Sequence, residues 1–463
     1  MLLLPLGESD LIGASCYYVN IDGTGILLDA GQSPMDDGPD GLPSFDLLNQ
    51  NPDWAVDHVV ITHAHHDHIG ALPHLARKWP HASVHMTNPT RHLLDTLLPA
   101  SARLQARKAK ERGYDSGVSF SEEELEAVSY QYRSYGLNEE FDLTGLLGGS
   151  NVRGTFYHSG HVLGAAGILI EFEENRIGRT LFYTSDTNVN DQTIHPAGEY
   201  PESPIDVLML ESTLGADPHI EHTTRDAEEL ALGEAIQSVI DRGGRVLLPV
   251  FALGRAQEIL ALIDRFKNVG MIDADVPVYT AGMMRGIADI YDRTRFSSPR
   301  LDEEFEVYGV PQKRLPKSKA GTANALQQQA IHIAASGMML ENTLSNRLAQ
   351  KLMDDPDSGI FFVGFVKDDA PGHRLLHAAE HDLEVSLAAS HEPQPVRCEV
   401  RKFRLTGHST RRDLLELAGR LDPKTVALVH GETEAKDWME DNLRYFYPAV
   451  PVLRPEQGVA LNL

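Results

Sequence analysis

The chain has 463 residues, 42% of them apolar, enough for two or three compact units at about 150 residues per domain. Acidic residues outnumber basic ones, 67 against 41, and the net charge of -26 repels polyanions at long range, which excludes a general nucleic-acid coat and requires any phosphate site to be local. The two cysteines, Cys16 and Cys398, exclude a disulfide framework, and no apolar run approaches the roughly 20 residues of a membrane span, so a soluble protein of the reducing cytoplasm is expected. The apolar start, Met1 to Leu6, has no cationic leader and is shorter than a secretory signal core. Only 12 of the basic residues are Lys against 29 Arg, a balance that suits a salt-adapted organism and equally an ordinary acidic cytosolic protein.

Short apolar runs bounded by Gly, Asp and Asn predict strands at 15–20, 25–29, 58–62, 84–86, 167–172, 180–184 and 207–211. Several end on His, Asp or Glu, which gathers polar side chains at one rim of a sheet. Residues 89–135 are charged and helix-prone; basic Arg103, Arg107, Lys108, Lys110 and Arg112 precede acidic Glu122 to Glu126, and the plain reading is a solvated helical face. From about residue 214 helices alternate with strands: helices at 226–241, 254–266, 283–294 and 341–352, strands at 245–250, 276–280, 330–335 and 360–365. That alternation predicts a parallel sheet covered by helices. The last 60 or so residues return to the earlier style, with strands at 403–405 and 425–429 and helices at 411–421 and 434–445.

The strongest chemical signal is His63-Ala64-His65-His66-Asp67-His68, placed after a predicted strand and before a helix. Four potential ligands within six residues of a strand-to-helix turn suit zinc or a similar divalent ion, and the spacing lets two of them face one metal and two face another. Further candidates stand at other strand ends: His161, Asp186 and His430.

This arrangement resembles the metallo-β-lactamase superfamily, and the resemblance implies that His63, His65, Asp67, His68, His161, Asp186 and His430 hold two Zn2+ ions. His161 is preferred to His158 because its Gly-His-Val-Leu-Gly context matches the family pattern, and His66 is expected to point away. Asp29, in Asp29-Ala30-Gly31, matches the first family motif and would support the metal turn from behind. The segments Glu211-Ser212-Thr213, Phe251-Ala252-Leu253-Gly254-Arg255-Ala256-Gln257-Glu258, Ala335-Ser336-Gly337-Met338 and Gly407-His408-Ser409 follow in order, and resemble the motifs of β-CASP nucleic-acid-processing hydrolases. The implied fold is α/β: a metallo-β-lactamase αββα sandwich over 1–213 and 398–463, with a β-CASP domain inserted at 214–397.

Within that family a His at the position of His430 goes with RNA, so the resemblance points to a ribonuclease akin to the cleavage-and-polyadenylation endonucleases or their prokaryotic relatives. Glu211 and His408 would serve catalysis beside Asp67, while Gly254, Arg255, Ser336 and Gly337 would meet RNA phosphates through backbone N–H groups and a guanidinium. Two cations sharing a site can activate water and offset charge on phosphoryl oxygens, and a His supported by a carboxylate can protonate the leaving 3′ oxygen. Lys313, Arg314, Lys317 and Lys319 form a candidate basic lip or an ordinary solvated loop. Two departures from the family pattern stand out: Ser409-Thr410 after His408, where a small residue and an Asp are usual, and Pro371-Gly372-His373-Arg374. The expected partner is single-stranded RNA, with a homodimer as an option and no membrane. Two competing readings are a non-catalytic scaffold, disfavoured by the full ligand set, and a small-molecule hydrolase, disfavoured by the long insertion.

Overall fold

The computed structural model describes residues 1–34, 36, 38–112, 120–202, 204–316 and 318–463. Two seven-stranded sheets face each other, and the alternation of side chains along their strands decides which layer each residue enters. In Tyr17–Ile21, Tyr17, Val19 and Ile21 fill the space between the sheets while Tyr18 faces the outer helices. In Val207–Glu211, Val207 and Met209 point inward, and Leu208 and Leu210 pack under the helices Arg411–Leu421 and Thr433–Phe446. Both faces of both sheets are therefore apolar, and the αββα sandwich expected above is the observed architecture.

The inserted unit is a six-stranded sheet in the order Lys313–Arg314, Val278–Thr280, Ala330–Ala334, Arg245–Pro249, Gly359–Phe362 and Glu399–Lys402, all neighbours parallel. Chain order reverses between Arg245–Pro249 and Ala330–Ala334, and the loops after those two strands flank the switch point where open parallel sheets take ligands. The helix Asn88–Arg112 of the first domain packs on Met284–Arg293 of the insertion, so one core runs through both.

Several expected elements differ in detail. The strand anticipated at 403–405 is not one: Glu399–Lys402 forms the edge strand, while Phe403 and Leu405 fill the core from a loop. The inserted sheet therefore ends past the expected boundary at 397. Leu2–Pro5, within the apolar start, and Val152–His158 are strands beyond those expected above. The charged stretch at 89–135 forms Asn88–Arg112 and Glu122–Ser129, where Arg103 pairs with Glu122 at 3.0 Å on an exposed face. Residues 113–119 between them and the side chain of Arg112 lie outside the described residues.

Candidate metal centre

The strands that carry the site run in one direction. Thr24–Leu28 is parallel to His58–Val60, and Ile177–Tyr183, Val207–Glu211 and Thr425–Val429 are parallel to one another. Val152–His158 runs the same way as Ile177–Tyr183, since both are antiparallel to Ala166–Glu174 between them. Asp29, the His63–His68 turn, His161, Asp186, Glu211 and His430 consequently emerge at one rim. Asp29, Ser185 and His430 have φ of 60°, 51° and 47°, left-handed backbone that a well-packed site can hold at some cost. Gly31 permits the closest approach: a Cβ there would lie 1.7 Å from the Asp67 carbonyl oxygen. Backbone bonds from Ser15, Ala30 and Gln32 to the carbonyls of Asp67, His68 and His66 then clamp the turn.

Two clusters result, one of His63, His65, His161 and Asp186, the other of Asp67, His68 and His430, and a third grouping brings Glu211 within ligand reach of Asp186 and His430. In the first, Nδ1 of His65 lies 3.1 Å from Nε2 of His63 and 3.2 Å from Nε2 of His161. Asp186 Oδ2 is 3.6 Å from His63 Nε2 and 3.5 Å from His161 Nε2. Its other oxygen, Oδ1, faces the second cluster, 3.5 Å from His68 Nε2 and 3.2 Å from His430 Nδ1. Asp67 Oδ2 is 3.5 Å from His430 Nε2.

These donors fit divalent cations. A tetrahedron with metal–nitrogen bonds of about 2.0–2.1 Å has edges of about 3.3 Å, close to the imidazole spacings here. Asp186 Oδ1 is buried without a hydrogen-bond partner, a position a metal would satisfy. Burial, then neighbouring histidines, holds His63 and His161 well below the usual imidazole range, so both offer lone pairs. Burial alone would also lower His68, but Asp186, Asp29 and Asp67 raise it instead, the mark of a pocket whose negative charge calls for a cation. Among the described residues no Lys or Arg pairs with Asp29, Asp67, Asp186 or Glu211.

Asp29 reaches the turn through its carboxylate. Fully buried, it accepts hydrogen bonds from Thr62 N at 2.8 Å, His68 Nδ1 at 2.8 Å and Tyr183 OH at 3.0 Å. His408 sits beside the first cluster, its ring 4.5 Å from that of His161, with Nδ1 3.2 Å from both carboxylate oxygens of Glu211. Glu211 is fully buried and also accepts from Thr187 N at 2.7 Å. Burial opposes charge on both partners, yet the Glu211 carboxylate raises His408 and the His408 charge lowers Glu211. The Ser409 departure has a local use: Ser409 N and Oγ both donate to Thr187 O, at 2.8 and 3.1 Å, fixing the loop that carries His408. Thr410 caps Arg411–Leu421 in a reciprocal box with Asp413.

A cleft of ≈ 250 Å³ opens over the clusters, walled by His65, Asp67 and His408 on one side and by Phe251, Ser336 and Met338 of the insertion on the other. Gly254 starts the helix Arg255–Asn268, but its N–H is already taken by Gln257 Oε1 at 2.8 Å. Arg255 borders the cleft and is only 6% exposed; its guanidinium donates to Leu405 O at 2.8 Å and to Gln192 Oε1. Ser336 borders the cleft and Gly337 lies in the same turn against Phe251. Lys313 and Arg314 are exposed on the sheet edge, whereas Lys317 and the side chain of Lys319 lie outside the described residues. Pro371-Gly372-His373-Arg374 opens the helix Pro371–Glu380. His66 is exposed, and His158 ends its strand with Nε2 3.3 Å from Pro196 O, so neither joins a cluster. Thr213, in the Glu211-Ser212-Thr213 segment, has its Oγ1 3.0 Å from His430 Nδ1, and two supporting groups lie outside every motif: Tyr183 and Gln192, for which no sequence signal exists.

An αββα sandwich with two adjoining nitrogen and carboxylate clusters at one rim defines a metallo-hydrolase. Residues 10–180 match the model of the metallo-beta-lactamase superfamily, 256–375 that of the Beta-Casp domain and 393–453 that of a Zn-dependent metallo-hydrolase RNA specificity domain. An RNase J-like protein of Methanocaldococcus jannaschii is 30% identical over 93% of either chain. Cleavage and polyadenylation specificity factor 73 of Drosophila melanogaster and endoribonuclease YSH1 of Eremothecium gossypii are each 29% identical over 96% and 99% of this chain. The chain spans 62% and 59% of the length of those two relatives. A crystal structure of a protein of unknown function from Enterococcus faecalis V583 superposes with a TM-score of 0.56 at 14% identity, over 100% of this chain and 99% of that one, and shares the fold. The chain belongs to the metallo-β-lactamase superfamily, in its β-CASP branch. No helix among the described residues is long and apolar enough to cross a membrane.

Proposed function

We propose that this protein is a ribonuclease that holds two Zn2+ ions and hydrolyses single-stranded RNA to 5′-phosphate and 3′-hydroxyl ends, in RNA processing or decay. The observation that carries the reading is the placement of the Glu211–His408 pair against the first ligand cluster, at the floor of a cleft between two domains. His63, His65, His161 and Asp186 would hold one ion, and Asp67, His68, His430 and the second oxygen of Asp186 the other. When bound, such ions supply a water-derived nucleophile at neutral pH and offset charge on the phosphoryl oxygens.

The chain's own residues account for the rest. Asp29 fixes the Nδ1–H of His68 and leaves Nε2 for the centre. Glu211 holds Nδ1 of His408 in the same way, which leaves Nε2 to give a proton to the departing 3′ oxygen. Phe251 and Met338 line the facing wall and exclude water from that proton transfer. The RNase J-like and endoribonuclease names of the relatives support RNA as the substrate.

Zinc-reconstituted protein should cut end-labelled single-stranded RNA and leave DNA of the same sequence intact, and Asp186→Asn should abolish cleavage. Linear substrates with 5′ phosphate or triphosphate, set against a circular one, separate internal cutting from entry at an end. Metal-loaded protein that leaves every RNA intact would overturn the reading.

A further inference from the structure

The two ligand clusters are oriented from different parts of the molecule. In the Asp67, His68 and His430 cluster, support comes from the first domain: Asp29 holds His68, and Thr213 Oγ1 lies 3.0 Å from His430 Nδ1. In the other cluster, His63 Nδ1 faces the Thr62 and Ser185 hydroxyls of the first domain at 3.3 and 3.5 Å, whereas His65 and the segment bearing His161 are held by one loop of the insertion, Leu253-Gly254-Arg255. His65 Nε2 donates to the carbonyl of Leu253 at 3.3 Å, which leaves Nδ1 pointing at His63 and His161. Gly254, at φ 86°, presses on Val162, the neighbour of His161, so closely that a Cβ would stand 2.4 Å from a Val162 methyl.

Arg255 extends the same support. One of its guanidinium nitrogens donates to Gln192 Oε1, and Gln192 Nε2 donates in turn to the carbonyls of Gly160 and His161 at 2.6 and 2.8 Å. A second donates to Leu405 O, two residues before Gly407, whose carbonyl receives the Nδ1–H of His161 at 2.9 Å. Glu258, one turn further along the helix, accepts from the N–H groups of Thr193 and Ile194 at 2.6 and 3.1 Å and anchors the segment that bears Gln192. A guanidinium so placed, 6% exposed and engaged with protein acceptors, is committed to holding backbone that carries ligands.

We propose that the loop Leu253 to Arg255 is the outer sphere of the His63, His65, His161 and Asp186 subsite, with Arg255 a positioning residue acting through Gln192 and Leu405. Occupancy of that subsite then depends on the docked insertion, while the Asp67, His68 and His430 subsite does not. The inference rests on the metal-centre reading above and is independent of the substrate.

The test is titration of the full-length metal-free protein with Zn2+ against a competing chelator, with no RNA present. Wild type should take two equivalents. Arg255→Met and Gln192→Met should each weaken one equivalent by about 10- to 100-fold, the usual cost of losing an outer-sphere partner, and leave the second within about threefold. The double variant should lose little more than either single one, because both cut the same relay. Arg255→Lys, which can still reach one acceptor, should recover part of the loss. Equal weakening of both equivalents would mean general loosening of the fold, and unchanged affinity at both would mean that Arg255 does not position the ligands; either overturns the proposal. Wild type that binds fewer than two equivalents would overturn the metal-centre reading itself, whether or not RNA is cut.

Discussion

His408→Ala removes an imidazole that adjoins the first cluster without belonging to it. Its Nδ1 is fixed at 3.2 Å from both oxygens of Glu211, and that carboxylate, fully buried, raises the imidazole's affinity for a proton against the effect of burial. A positioned acid of this kind contributes about 10²- to 10⁴-fold, or roughly 2.7 to 5.4 kcal/mol at 1.36 kcal/mol per decade. Single-turnover cleavage of labelled RNA at saturating protein should slow by that factor, with both zinc equivalents retained. On a nitrophenyl phosphodiester, whose leaving group departs without a proton, the defect should shrink below about tenfold. An equal loss on both substrates would refute the acid role, and loss of zinc would make His408 a ligand.

Other expectations follow from the same geometry. Purified protein should hold two zinc equivalents by elemental analysis, and Asp67→Asn should abolish turnover with the fold intact, because a neutral amide ligates poorly; near-normal turnover would remove Asp67 from the mechanism. Asp29→Ala, which removes the acceptor of His68 Nδ1, should weaken zinc binding by about 10- to 100-fold in chelator competition, and unchanged affinity would count against its supporting role. Stability should fall in mild acid through His332, a 1% exposed residue of the inserted sheet whose ring nitrogens have no hydrogen-bond partner among the described residues. Burial, then Arg245, pushes its pKa down to about 4, so the fold favours the neutral ring. The stabilisation is complete above the unfolded value of about 6.5 and is lost as pH falls toward 4, by at most about 3 kcal/mol. Urea unfolding of His332→Leu should lose that part of the acid sensitivity; the same pH slope as wild type would refute the assignment.

The His63–His68 turn was legible because its four candidate ligands are neighbours in the chain, and the strand-end histidines and Asp186 because parallel strands bring their ends to one rim. Glu399–Lys402 escaped because an edge strand with exposed, charged residues has no apolar face to display. Phe403 and Leu405 misled for the opposite reason, since they are buried from a loop. Leu2–Pro5 begins with no turn residue before it to bound the run, and Val152–His158, with Arg153, Gly154 and Thr155, is too polar to read as a strand. The setting of Arg255 is tertiary: its acceptors lie 63 residues before it and 150 after it, a relation no local spacing carries.

The central claim, hydrolysis of an RNA phosphodiester by water with the 3′ oxygen leaving, is tested most directly by cleavage in ¹⁸O-labelled water followed by mass spectrometry of the product ends. The account predicts one labelled oxygen on the new 5′ phosphate and an unlabelled 3′ hydroxyl, both dependent on added zinc. Products ending in a 2′,3′-cyclic phosphate, or a label on a 3′ phosphate, would contradict it.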